Sequence, residues 1–250
     1  MRRVPPVSRL LGLRLLVHCL LGVCLFAVST ACAASGPGVT VFAAASLTGT
    51  FTELAETFEA ARPGTKVTLN FGSSATLAQQ IGRGAPADVF AAASPATMRQ
   101  VTGESQVFAR NRLTIAVPPG NPSRISGLRD LAGSEVKVAI CAPQVPCGAA
   151  AATVLAGLGV TPVTLERDVK ATLTKLTLGE VDAALVYRTD VLAAQGKVEG
   201  IEFPESAKAV NDYPIAALGD GQAARDFVAL VLSEQGQRVL TDAGFDAGGG

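Results

Sequence analysis

The chain has no tryptophan, two tyrosines (Tyr187 and Tyr213) and one histidine, His18. The scarcity of histidine excludes most. His18 lies in an N-terminal stretch with the character of an export signal, so the exported protein would have no imidazole. That removes Ser-His-Asp and Cys-His nucleophile systems and any histidine-ligated zinc or iron centre. The sequence also lacks Gly-x-Ser-x-Gly, the strained turn that presents a hydrolase serine, and no catalytic residue is expected. Basic surplus is missing as well. The chain has 21 Lys and Arg against 21 Asp and Glu, and Arg2, Arg3, Arg9 and Arg14 belong to the N-terminal stretch. The remainder keeps 17 basic residues against 21 acidic ones. An acidic balance without a basic run argues against nucleic acid as a partner.

The start of the chain is informative. Arg2 and Arg3 precede an apolar run from Leu15 to Val28, then the small residues Ser29-Thr30-Ala31-Cys32. A basic start, a short apolar stretch and small residues make an export signal over residues 1–32. A spanning helix needs roughly 20 apolar residues. Two processing routes fit. In one, Cys32 is lipidated and becomes the mature N-terminus, anchoring the protein to the outer face of the membrane, although Ser29 stands where a Leu is preferred. In the other, cleavage within Ala31-Cys32-Ala33 removes the cysteine and leaves a periplasmic or secreted protein. Cys19 and Cys24 lie in the apolar stretch. Cys141 and Cys147 remain, six positions apart, and an oxidising compartment favours a short-loop disulfide between them. Two thiols alone make a poor metal site.

The rest of the chain alternates strand and helix. Apolar or β-branched runs at Val39–Ala45, Lys66–Phe71, Asp88–Ala92, Arg112–Val117, Val136–Ile140 and Ala183–Tyr187 predict strands. Helical spacing follows at Ser46–Ala60, Leu77–Ile81, Cys147–Leu158 and Asp168–Leu178. Strands apolar on both faces, interleaved with helices, predict parallel sheets covered on both sides. Pro118-Pro119-Gly120-Asn121-Pro122 is the strongest punctuation. Asp212–Leu218 reads as a return strand, and Ala223–Leu240 as one amphipathic helix. An architecture with two crossings between lobes would place them at the proline cluster and the return strand.

The chemistry sits where strands end. Val41–Ala45 runs into Ser46-Leu47-Thr48, Asn70-Phe71-Gly72 into Ser73-Ser74, Cys141–Pro146 into Cys147-Gly148, and Asp168-Val169 opens a further helix. In open α/β sheets, ligands gather beyond the carboxyl ends of the strands. Helix starts there offer unpaired N–H groups and about half a positive charge each. Several aimed at one point bind an anion without Lys or Arg. Ser46 and Ser74 add hydroxyls, and Gly72 and Gly148 permit close backbone approach. Each residue also has a plainer explanation: a serine at a helix start is ordinarily an N-cap, and Tyr187 ending an apolar strand is ordinarily core. Residue by residue, this reaches an anion site of unspecified identity.

The motifs go further. Val41-Phe42-Ala43-Ala44-Ala45-Ser46-Leu47-Thr48 resembles the opening motif of the molybdate-binding proteins that serve ABC importers. Phe71–Ile81 followed by Gly84-Ala85-Pro86-Ala87-Asp88-Val89-Phe90 is similar to that family's second signature. Val145-Pro146-Cys147-Gly148, Asp168-Val169 and Leu185-Val186-Tyr187 match later ones in order, so the likeness runs from Val39 to Phe245. The resemblance implies an α/β, two-lobed type II periplasmic-binding-protein fold, each lobe a mixed, mostly parallel sheet flanked by helices. One lobe would comprise 38–118 with 206–250, the other 119–205. It implies a molybdate or tungstate ligand held by the hydroxyls of Ser46, Ser74 and Tyr187 and by the N–H groups of Cys147 and Val169. By position Ser74 matches better than Ser73. It further implies no cofactor, no enzymatic activity, a metal bound only as its oxyanion, a membrane permease as partner and a monomeric protein. Many members have Ala where Cys147 stands, and some have a third Ser where Ala75 stands.

Overall fold

The computed structural model describes Gly38–Gly248. The export signal over residues 1–32, with His18 and Cys32, lies outside the described residues. Among those residues no helix is long and apolar enough to cross a membrane.

The first apolar run is strand β1 (Gly38–Ala44). It turns through a 3-10 segment (Ala45–Leu47) into helix α1 (Thr48–Ala61). Strand β2 (Lys66–Gly72), helix α2 (Ser74–Gly82), strand β3 (Val89–Ala91), a short helix α3 (Pro95–Met98) and strand β4 (Gln106–Asn111) follow. The chain then builds a second sheet from β5 (Leu113–Val117), β6 (Val138–Cys141), β7 (Thr164–Glu166), β8 (Ala183–Tyr187) and β9 (Glu199–Ile201). Helices α4 (Pro146–Leu155), α5 (Val169–Thr177) and α6 (Arg188–Ala193) lie between those strands. It returns as β10 (Asn211–Ala217), α7 (Gln222–Leu232), α8 (Glu234–Asp242) and β11 (Asp246–Ala247).

The six-stranded sheet has the order β11-β4-β10-β3-β1-β2, and the five-stranded sheet β7-β6-β8-β5-β9. The strands read from apolar runs pair in parallel: β1 with β2 and β3, β6 with β7 and β8. The strands next to the crossings enter antiparallel, β10 between β3 and β4, and β5 between β8 and β9. Both sheets are therefore mixed, with most strands pointing one way, toward the other sheet.

Alternation along β1 explains how the first sheet is covered. Val39, Val41 and Ala43 join a core with Phe51, Phe58, Phe108 and Phe227, whereas Phe42 faces a second cluster with Leu77, Phe90 and Met98. The second sheet has its own core, including Leu113, Ile115, Val138, Ala184 and Tyr187. Ala75, at the start of α2 in the first half, packs against that second core.

Three features differ from the sequence expectation. The proline cluster predicts the first crossing at Pro118–Pro122, yet the chain changes sheets between Asn111 and Leu113. Prolines end β5, because they cannot donate to a ladder; the crossing needs only one residue, Arg112. On the return, the 3-10 segment Pro204–Ala209 still belongs to the second half, as Phe203 and Ala209 pack on its core. The single helix expected over Ala223–Leu240 is broken at Ser233. Its Oγ accepts from Gly236 N–H at 3.2 Å and donates to Leu230 C=O at 2.7 Å, so it ends one helix and caps the next.

Candidate functional site

The helix starts converge on a small cavity between the two sheets. Ala44, Ala45 and Ser46 line it from the β1 end, Gly72, Ser73 and Ser74 from β2, and Ala93 from the loop after β3. Val145, Pro146 and Cys147 at the start of α4, Asp168 and Val169 at the start of α5, and Tyr187 at the end of β8 complete the wall. Ser46, Ser74, Cys147, Val169 and Tyr187, all singled out from the sequence, thus face one space. No Lys, Arg or His among the described residues lines it.

The plainer explanations for the serines do not hold here. Ser46 caps nothing: the 3-10 segment follows Ala44, with no side-chain cap bond. Ser46 Oγ instead lies 2.9 Å from the hydroxyl of Tyr213, across a buried contact. At α2 the capping falls to Ser73, whose Oγ accepts from Thr76 N–H at 3.1 Å and donates to Thr76 Oγ1 at 2.9 Å. Ser74, 1% exposed, accepts from Ala93 N–H at 2.9 Å. A hydroxyl carries one proton and accepts through its lone pairs, so Ser74 keeps its proton for something else. Tyr187 is 1% exposed and its hydroxyl has no protein hydrogen-bond partner. Burial pushes its pKa well above the usual phenol value, with the neighbouring Tyr213 and Asp190 adding to the shift. It is a neutral donor.

Backbone groups supply the rest. Pro146 has no N–H, so the first amide of α4 is that of Cys147. Asp168 caps α5 by accepting from Ala171 N–H at 2.8 Å, which leaves the amide of Val169 among those with no partner in the helix. Cys141, at the end of β6, is disulfide-bonded to Cys147, closing the loop that holds Val145 and Pro146. Gly148 is required by this loop: a Cβ there would overlap the carbonyl of Ala142. Gly72 is not required in that sense, since a Cβ would meet only Leu77, at 3.6 Å.

Three contributors were not read from the sequence. Tyr213 in β10 sits behind Ser46, and its ring meets those of Phe108, Phe245 and Tyr187 edge-on. Nothing in a seven-residue strand pattern marks which face its hydroxyl reaches. Ala93 acts through its backbone, which no side-chain motif reveals. Asp190 left a legible trace: an acid three residues into a helix is a capping-box signal. Its Oδ2 accepts from Tyr187 N–H at 3.1 Å, and Lys170 Nζ of α5 lies 2.9 Å from Oδ1. Burial raises the Asp190 pKa, opposed by Lys170 and the Tyr187 amide. Asp190 thereby ties together the starts of α5 and α6.

Two mixed α/β sheets facing each other across a small cavity of uncharged donors define a two-lobed solute-binding protein. The family model for bacterial extracellular solute-binding proteins matches residues 39–246, and the chain belongs to that family. It is 40% identical over 218 residues to the molybdate-binding protein ModA of Mycobacterium tuberculosis, covering 83% of this chain and 84% of that one. Among solved structures it resembles the Azotobacter vinelandii periplasmic molybdate-binding protein, with a TM-score of 0.73, 22% identity and coverage of 83% and 98%. The sulfate-binding protein SubI of M. tuberculosis aligns with a TM-score of 0.74 and 19% identity over 84% and 87% of the two chains.

Proposed function

We propose that the protein captures molybdate or tungstate as the dianion in this cavity and delivers it to an ABC permease. Ser46, Ser74 and Tyr187 donate through their hydroxyls, and Cys147 and Val169 through their backbone N–H groups. The observation that carries this reading is the polarity of the cavity wall. Ser74 already accepts from Ala93, the Tyr187 hydroxyl lacks a protein acceptor, and the adjoining helices begin with free amides. Such a wall is matched by a ligand that accepts at every oxygen. A fully deprotonated tetrahedral oxyanion does so, whereas hydrogen phosphate sets its O–H against a donor. The 40% identity to ModA supports molybdate among such ions.

Hydrogen bonds to a charged group contribute roughly 1.5–3 kcal/mol each, so five give a gross of about 8–15 kcal/mol before desolvation and closure are subtracted. A net affinity between about micromolar and nanomolar is consistent with that sum. Because Ser46 and Ser74 belong to one half and Cys147, Val169 and Tyr187 to the other, the ion bridges them, and binding favours a closed hinge. The protein acts as a monomeric receptor and not as an enzyme, exported by its N-terminal signal and held at the membrane surface through Cys32 if that residue is lipidated. Thermal shift and calorimetry with molybdate, tungstate, sulfate, phosphate and chromate test the assignment. Stabilisation by sulfate equal to that by molybdate would replace it with a sulfate receptor.

A further inference from the structure

We propose that Cys141, although outside the cavity wall, is a positioning residue for the ligand: its disulfide to Cys147 holds the Cys147 amide in the place where it meets the oxyanion. This rests on the oxyanion reading above, and it gives the bridge a part in affinity beyond its part in stability.

The helix starts around the cavity are secured in different ways. At α2, Ser73 Oγ accepts from Thr76 N–H; at α5, Asp168 accepts from Ala171 N–H; at α6, Asp190 accepts from Tyr187 N–H. Such bonds fix where a helix begins. The start of α4 has no side-chain cap, and its N-cap residue, Val145, has no side-chain acceptor to offer. The amides of Gly148 and Ala149 both bond to Val145 C=O, at 3.0 Å each. Beyond that turn α4 runs through Ala149-Ala150-Ala151-Ala152. Methyl groups make shallow ridges, so this stretch resists sliding or rotation only weakly.

The disulfide supplies what the missing cap does not. Cys141 is the last residue of β6, a strand flanked by β7 and β8, and it is fully buried. Its strand end is itself held, because Ala142 N–H donates to Glu166 C=O of β7 at 2.8 Å. A covalent bond from there to Cys147 pins the second residue of α4 to the sheet. The same strand end reaches α5. Cys141 Sγ lies 3.3 Å from Thr172 Oγ1, which donates to Asp168 C=O at 3.0 Å. Cys141 therefore touches both helices that bring amides to this half of the cavity, and sets Cys147 relative to Val169. Fixing a binding group beforehand removes its ordering cost from the binding step.

The test compares oxidised wild type with the same chain unfolded, reduced, refolded and freed of reductant under nitrogen, so that only the bond differs. Each is titrated calorimetrically with molybdate well below its melting temperature, with circular dichroism checking the fold. The reduced form should bind about 3- to 30-fold more weakly, as for a helix start that keeps its binding arrangement between roughly a third and a thirtieth of the time. The Cys141→Ala/Cys147→Ala double variant keeps the amide of residue 147 and needs no reductant; it should show a loss in the same range. A bridge that only stabilises the fold would lower the melting temperature and leave Kd alone. Hydrogen exchange on the ligand-free protein adds a second readout. The amides of Gly148 and Ala149 should exchange faster in the reduced form, while that of Thr76, held by Ser73 in the other half, should not. Equal affinities with and without the bridge, or exchange that quickens alike at α2 and α4, would overturn the proposal. Oxidised protein that takes sulfate and not molybdate would instead sink the choice of ligand; the comparison is then made with sulfate.

Discussion

Replacing Tyr187 by Phe removes one oxygen and leaves the ring where it stands, edge-on to Tyr213 at 6.1 Å. For an ordinary buried hydroxyl this lowers stability, because its partner is orphaned. Here the hydroxyl has no protein partner, so nothing in the protein is orphaned. A buried polar group without a bond costs about 1–3 kcal/mol, and deletion should return part of that, the remainder being offset by whatever water the cavity holds. In a domain of this size, 1 kcal/mol moves the melting temperature by about 2–4 °C. The ligand-free variant should therefore melt at the wild-type temperature or a few degrees above it. Binding should move the other way. Loss of a hydrogen bond to a dianion costs about 1.5–3 kcal/mol, or roughly 10- to 150-fold in Kd. Differential scanning calorimetry of the free protein and titration with molybdate read the two effects separately. A lower melting temperature with unchanged affinity would refute the reasoning, for it would make the hydroxyl structural and turn it away from the ion.

Ser74→Ala should weaken molybdate at least tenfold, and it should also lower the melting temperature, because Ala93 N–H loses its acceptor; unchanged calorimetry would remove Ser74 from the site. Opening the Cys141–Cys147 bridge by reduction should cost about 2 kcal/mol from the entropy of so short a loop, and so a melting temperature about 4–8 °C lower. Mass spectrometry without reductant checks the premise, and free thiols on both residues would contradict it. Burial alone would raise the Asp246 pKa, but bonds from Arg188 at 2.9 Å and Arg112 at 3.1 Å hold it below the usual carboxylate value. A depressed folded-state pKa stabilises above the unfolded value of about 3.9 and is lost as pH falls through the folded one. The stability gap between wild type and Asp246→Asn, about 1 kcal/mol or less after solvent screening, should therefore be present at pH 7 and close below about pH 4.

Much of the frame was legible because local pattern and tertiary role agree. Ala183–Tyr187 reads as a strand buried on both faces, and all five of its residues are buried. The helix starts after β1, β2 and β6 are visible as small polar residues or Pro following apolar runs. What escaped detection depends on contacts distant in sequence. Tyr213 reaches Ser46 across 167 positions, and Ala93 reaches Ser74 only because β3 lies beside β1. The crossing at Arg112 was hidden for a different reason: a single residue between two strands leaves no punctuation, whereas the prolines six residues on leave a great deal. Likewise Ser233 lies within an unbroken apolar periodicity, and its cap bond rather than its place in the pattern breaks the helix.

Apart from Asp168, whose carboxylate is held by the Ala171 amide, the pocket is walled by amides, serines and a phenol, with no Lys, Arg or His side chain on it, and this has consequences for the conditions under which it works. Permanent dipoles do not gain or lose protons between mildly acidic and mildly alkaline media, and a site without a counter-charge has no ion pair for salt to screen. A receptor built this way can hold its cargo at nearly constant strength while the medium outside the cell shifts in acidity and salinity, conditions the cell does not control.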